Sequence, residues 1–411
     1  MTRDWRWDDA VDPPAPVRAL NRLPDAVARR AVSLDPAGLV SAARVRSGVD
    51  DLGPSDFWDG LVALTDALEG EARLSPLGRI AIRRNLVDAL AARAQVLDWH
   101  EREPGIATEA VEAPVVIIGL PRTGTTLLSF LLQQDPRLRT LRHWEAQAPT
   151  PPPTLVEEAT DPRVREAEQQ LTGLWRMAPG FRAIHPMEPA GATECVTVLT
   201  QSMASMQFET QCHVPGYADW MDDADLASAY AHHRRVLQLL QWRSPAERWN
   251  LKTPAHLLAL GTLLDTYPDA RLIWTHRDPA DVVGSVASLT SALQSLMSDD
   301  IEPRLRGPFW LERLATLVDR GQDVLDARPG TAIAHMDYRD LVADPVAAVG
   351  TAYAELGLPL GDVARRRMQA WRDANPQDRW GRHHYDIAEF GIAPDQVRER
   401  FGSYRQRYDL P

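Results

Sequence analysis

The sequence predicts an α/β fold with a mainly parallel sheet, preceded by a helical N-terminal segment. Three observations carry this prediction. Apolar runs of strand length, rich in β-branched and aromatic residues, occur at Val115–Ile118, Arg271–His276 and Thr331–His335. Segments of helical pattern follow them, and strands alternating with helices indicate a parallel sheet with helical crossovers. Before residue 112 only the helical pattern is present: Ile82, Leu86, Leu90 and Leu97 recur at helical spacing, while Arg83, Arg84, Asp88 and Arg93 fill the other side.

The elements follow in order. Residues 1–111 form the helical region and 112–411 the α/β domain. Pro114 introduces Val115–Ile118, an unbroken apolar run suited to a strand covered on both faces. After the turn from Gly119 to Gly124, residues Thr125 to Gln134 read as a helix closed by Asp135-Pro136. Residues from about 150 to 250 carry helical pattern and many aromatics, and are expected to wall a substrate site. Pro254 through Tyr267 is predicted as one helix. After the strand at Arg271–His276, Asp278-Pro279 supplies a cap and an N1 proline for a helix to about Leu293. The third strand precedes Tyr338 and a helix over Asp344 to Leu356; the stretch from Trp371 to Tyr408 receives no element.

Composition narrows the function. With 411 residues, 44% hydrophobic and 25% charged, the chain is globular rather than disordered, fibrous or a disulfide miniprotein. A net charge of −12 argues against nucleic acid and anionic membranes as partners. An anionic ligand must therefore be caught by a local device. Two cysteines, Cys195 and Cys212, make no framework and suit a reducing cytosol. The N-terminus lacks a signal-peptide apolar region, and no apolar run approaches the roughly 20 residues of a membrane span, so a soluble cytoplasmic protein is expected. Oligomeric state has no signal in the sequence.

The local device is Gly119-Leu-Pro-Arg122-Thr123-Gly124-Thr125-Thr126, between a strand and a helix. Such a turn aims backbone N–H groups and the positive end of a helix dipole at one spot, as a phosphate requires. The glycine spacing matches a nucleoside-triphosphate P-loop, but Thr125 stands where that loop has lysine. The fold expected is thus a P-loop-like three-layer sandwich, with Arg122, Thr123, Gly124, Thr125 and Thr126 as anion-binding candidates. The plain alternative is a connection with a capping threonine. A second candidate, Arg277-Asp-Pro-Ala-Asp281-Val-Val-Gly-Ser285, also follows a strand; alone it is weak, because Arg277 has Asp281 as an alternative partner. Ligands of open α/β sheets bind at the carboxyl ends of strands, where both motifs lie.

These two motifs, in this order, resemble the nucleotide-binding motifs of sulfotransferases that use 3′-phosphoadenosine 5′-phosphosulfate (PAPS). The resemblance implies that Arg122 to Thr126 hold the 5′-phosphosulfate and that Arg277 and Ser285 hold the 3′-phosphate. Asn250-Leu-Lys252-Thr253-Pro254 resembles a lysine-bearing segment of the tyrosylprotein and related bacterial sulfotransferases. Tyr338-Arg-Asp-Leu-Val resembles their segment whose tyrosine touches the nucleotide. Together these cover roughly residues 112 to 356. Two departures stand out: Leu289 occupies a position where tyrosylprotein sulfotransferases often carry arginine, and the basic C-terminal motif of cytosolic sulfotransferases has only the stretch Arg379 to His384 as a substitute.

Sulfuryl transfer to a hydroxyl needs a base for the acceptor proton and positive donors at the bridging oxygen of the leaving phosphate. The resemblance points to Glu145, in His143-Trp144-Glu145, as the base; its alternative is a surface carboxylate. His256, shortly after Lys252-Thr253, is the runner-up and His143 the third candidate. Lys252 is assigned to charge stabilisation. His185 to Glu188 and Glu194-Cys195 are placed in the acceptor pocket. No metal is expected, since His232-His233 and His383-His384 match no metal-ligand spacing. The expected activity is sulfuryl transfer from PAPS to a small-molecule hydroxyl, releasing adenosine 3′,5′-bisphosphate. A P-loop-like small-molecule kinase and a non-catalytic nucleotide-binding protein are the competing readings.

Overall fold

The computed structural model describes residues 4–154, 160–245, 247–376 and 382–411. Strands β1 (Val115–Gly119), β2 (Leu138–Thr140), β3 (Arg248–Lys252), β4 (Arg271–His276) and β5 (Ile333–Asp337) form one sheet in the order β2-β3-β1-β4-β5. Every pairing is parallel; Val115, for example, lies beside Asn250 on one side and Arg271 on the other. Successive strand residues point to opposite faces. Accordingly Val116, Ile118, Leu272 and Trp274 enter one core, and Val115, Ile117 and Ile273 enter a second. Helices cover both faces, giving three layers. Ile82, Leu86 and Leu90 of helix α1 (Pro76–Arg102) join the first core, and Leu128, Leu131 and Leu132 of α2 (Thr125–Leu132) join the second. The N-terminal helices thus share a core with the sheet.

Helices α3 (His143–Gln147) and α4 (Pro162–Met177) lie between β2 and β3, and α5 (Pro279–Gln294) follows β4, with the Asp278 carboxylate accepting from the Ala280 N–H at 3.0 Å. Tyr338 opens α6 (Tyr338–Ala343), and α7 (Asp362–Ala374) lies in the C-terminal part. The structure corrects several expected elements. Pro254–Tyr267 is a 3-10 turn over Pro254–Leu257 and a separate helix over Leu260–Thr266, because Ala259 leaves the helical region at φ −126°. The third strand starts at Ile333 rather than Thr331, whose N–H and hydroxyl both donate to the Arg328 carbonyl and close the preceding turn. Strands β2 and β3 went unread because Arg139, Asn250 and Lys252 interrupt their apolar pattern; Asn250 is buried yet donates to Ser129 O and Thr140 Oγ1, both at 3.0 Å. Among the described residues no helix is long and apolar enough to cross a membrane.

Candidate active site

The first turn is shaped by close packing. At Gly119 (φ 130°) a Cβ would sit 2.5 Å from the Thr275 carbonyl oxygen on β4, so a side chain is excluded. Arg122 (φ 68°) and Gly124 (φ 90°) are both left-handed and bring the chain into α2, whose first N–H groups receive no side-chain cap. These free donors and the positive helix end meet a cavity lined by Arg122, Gly124, Thr125 and Thr126. Thr123 differs from its neighbours: it is buried, and its hydroxyl lies 2.7 Å from Leu120 O and 2.6 Å from Thr275 Oγ1, bracing the turn.

The second motif is joined to the first. Arg277 Nη1 donates to the Arg122 carbonyl at 3.0 Å, its guanidinium lies 4.5 Å from the Tyr338 ring centroid, and it also pairs with Asp281 at 3.2 Å. Tyr338 in turn packs against Gly124. Ser285 is buried behind Arg122 and accepts from its Nε at 3.1 Å. Over that region Tyr385 donates to Asp281 O at 2.7 Å, and a ring nitrogen of His383 lies 2.8 Å from Ser288 Oγ. Residues 377–381 of the C-terminal candidate stretch lie outside the described residues. Burial and the nearby Arg277 charge hold the Arg122 pKa below its usual value, and among the described residues no carboxylate pairs with it. Two guanidinium groups without full compensation suit a polyanion.

A smaller chamber adjoins the turn, lined among others by Thr126, His143, His185, Glu188, Glu194 and Lys252. Lys252, at the end of β3, donates to Glu194 Oε1 at 2.7 Å and reaches Thr126 Oγ1 at 3.4 Å, while Thr253 donates to Glu194 Oε2 at 3.1 Å. Burial works to raise the Glu194 pKa, but Lys252, His185 and the hydrogen bonds hold it below the ordinary carboxylate value. Burial pushes His185 down to about 4 against the pull of Glu194, and His143 also to about 4. Both imidazoles are neutral at pH 7. The Ile184 carbonyl, just before His185, accepts from Arg122 Nη1 at 2.8 Å, which ties this segment to the turn.

The two leading base candidates are placed elsewhere. Glu145 is fully buried, receives Arg139 at 2.6 and 3.2 Å, and accepts from the Arg142 N–H at 3.2 Å. The short helix α3 turns His143, Ala146 and Gln147 toward the large cavity and Glu145 into the core. His256 is likewise buried, with Nδ1 2.8 Å from the Tyr230 hydroxyl and its pKa forced well down by burial. Its neighbours Thr253 to Ala255, not its ring, line the cavity. Neither side chain reaches the cavity: Glu145 is enclosed by the core with its carboxylate bonded there, and His256 is enclosed with Nδ1 bonded and Nε2 left without a partner. His232 and His233 bond Gln201 and Tyr267.

The large cavity holds about 1450 Å³ and runs from the anion-binding turn past α4 and α5 to one face of α1. The participation of α1 was not legible in the sequence, because helical periodicity does not say what packs on an exposed face. Leu289 is one of the lining residues.

A sequence model described as the sulfotransferase family matches residues 114–362. The structure of sulfotransferase STF1 from Mycobacterium tuberculosis is similar over 89% of this chain and 98% of its own, with a TM-score of 0.81 and 32% identity. That of STF9 from Mycobacterium avium covers 91% of this chain and 97% of its own, with a TM-score of 0.84 and 29% identity. Omega-hydroxy-beta-dihydromenaquinone-9 sulfotransferase Stf3 of Mycobacterium tuberculosis is 26% identical over 261 residues, 61% of this chain but only 64% of the relative. The matched family region contains β1, the Gly119–Thr126 turn, the Arg277–Ser285 segment and Lys252, the parts that meet around the cavity and its adjoining chamber, and the chain belongs to the sulfotransferase family.

Proposed function

We propose that the protein transfers the sulfuryl group of PAPS to the hydroxyl of a small-molecule acceptor. The observation that carries this reading is the convergence on one cavity of an uncapped helix N-terminus, of Arg122, which no described carboxylate pairs, and of Arg277, with Lys252 next to them. Arg122, the α2 N–H groups, Thr125 and Thr126 hold the phosphosulfate; Arg277 and Tyr338 hold the rest of the nucleotide, with Ser285 supporting Arg122 from behind. The donor is a consumed substrate. The acceptor oxygen forms a bond to sulfur as the bond from sulfur to the bridging phosphate oxygen breaks, and the electron pair leaves with adenosine 3′,5′-bisphosphate. Lys252 offsets charge on that oxygen. His185 receives the acceptor proton: it is neutral, lines the chamber and has Glu194 nearby to stabilise the imidazolium. The scheme requires no metal. We place the reaction in the cytoplasm, where the two free buried thiols, Cys195 and Cys212, persist.

Ligand-dependent stability tests the reading. Adenosine 3′,5′-bisphosphate at 100 times its Kd stabilises the protein by about 2.7 kcal/mol, and ATP with magnesium does not. The opposite preference indicates a kinase, and binding without sulfuryl turnover on any hydroxyl indicates a non-catalytic protein.

A further inference from the structure

We infer that the acceptor is an alcohol with a long apolar body that lies along α1, and that Ala89 and Ala92 set how much of it the cavity admits. The inference rests on the proposed sulfuryl transfer and specifies its acceptor. The cavity face of α1 runs from Leu77, Ile80 and Ala81 to Ala89 and Ala92, with Arg84, Asn85 and Asp88 on its middle turn, where Arg84 and Asn85 are exposed and Arg84 donates to Asp88. The fifteen helical steps from Leu77 to Ala92 rise roughly 22 Å, far longer than a compact alcohol. The volume of about 1450 Å³ exceeds the roughly 300–1,000 Å³ typical of one ligand, so a second, sizeable molecule fits beside the nucleotide.

The walls are chemically selective. Leu174, Leu293 and Met297 also line the cavity, while Ile80, 42% exposed, marks an opening to solvent. Several polar groups of the inner wall are already occupied: Thr197 donates to Gln207 at 3.2 Å, Gln201 meets His232 at 2.9 Å, and Thr200 donates to Thr197 O at 2.6 Å. Along this inner wall a polyhydroxylated acceptor would find few free partners and would leave its own groups desolvated. Among the described buried side-chain atoms of the lining, Gln211 Oε1 and Trp310 Nε1 have no partner, enough for one further polar group on an otherwise apolar body. Ala89 and Ala92 are buried yet line the cavity, so the absence of larger side chains there is what extends it inward.

The test is a series of straight-chain primary alcohols with PAPS as donor and the full-length protein as enzyme. We expect kcat/KM to rise by up to about fourfold per methylene, as for burial of each group, and to level off once the chain fills the track. Ala89→Phe should lower kcat/KM for the long alcohols at least tenfold while adenosine 3′,5′-bisphosphate still raises Tm as in the unmodified protein. A flat dependence on chain length, or preference for a sugar over a long alcohol, overturns the acceptor class and leaves sulfuryl transfer standing. Absence of stabilisation by adenosine 3′,5′-bisphosphate overturns the transfer reading and the acceptor with it. The chain-length series decides the matter even if the Ala89 variant does not fold.

Discussion

Arg122 Nε donates to the Ser285 hydroxyl over 3.1 Å, so the glycine turn after β1 and the helix after β4 are joined by a hydrogen bond between residues 163 positions apart along the chain. The same guanidinium holds the Ile184 carbonyl through Nη1, and its own carbonyl accepts from Arg277. One side chain therefore fixes the turn, the helix after β4 and the segment bearing His185. Arg122→Ala is expected to remove about 2–4 kcal/mol of transition-state stabilisation, measured as kcat/KM. Arg122→Lys should recover little of it, because an ammonium lacks the fork that spans two acceptors. Unchanged turnover in either variant would remove Arg122 from the mechanism.

Glu145 and His185 make opposite predictions. Glu145→Gln leaves the Arg139 guanidinium, 8% exposed, without its carboxylate, and breaking such a buried pair costs about 3–5 kcal/mol of stability. The folded fraction should keep its kcat. His185→Ala should retain stability near the wild type but lose about 10²–10⁴ in kcat. A Glu145→Gln protein with normal Tm and no turnover would return the base to Glu145.

Acid should destabilise the fold in a defined window. His143, His185, His213 and His383 are each held near 4 by burial, against about 6.5 unfolded. Between those values the unfolded chain binds more protons, so stability rises with pH and is lost as pH falls from about 6.5 to 4. Each group contributes up to about 1.4 kcal/mol per pH unit in that range. Urea unfolding at pH 7, 5.5 and 4.5 measures the slope, which His143→Gln should reduce. A flat profile would contradict the neutral buried imidazoles.

Gly124→Ala tests the turn itself. The new Cβ would lie 2.7 Å from Leu341 Cδ2 and 3.1 Å from Tyr338 Cδ2, on a residue with φ 90°. The strain costs at least about 1 kcal/mol and moves Tyr338 from the Arg277 guanidinium. Calorimetry should show weaker binding of adenosine 3′,5′-bisphosphate; equal affinity would mean that Tyr338 does not contribute to the nucleotide site.

Legibility in the sequence followed the range of the interaction. The strands at Val115 and Arg271 were readable because each is a contiguous apolar run, and the turn at Gly124 because left-handed backbone demands particular residues in a short stretch. Strand β3 was hidden because Asn250 and Lys252 are polar where a buried strand is usually apolar, and their partners, Thr140 and Glu194, are remote in sequence.

Alone, the amino-acid order determined the parallel sheet and the turns that follow the strands at Val115 and Arg271, since periodicity, glycine placement and helix capping act over a few neighbouring positions. Tertiary structure decided that Glu145 faces Arg139 and not the cavity, that His185 and Glu194 stand beside Lys252, and that α1 supplies a wall. Those outcomes depend on which surfaces meet when distant segments pack, and neighbouring residues in the chain carry no record of that.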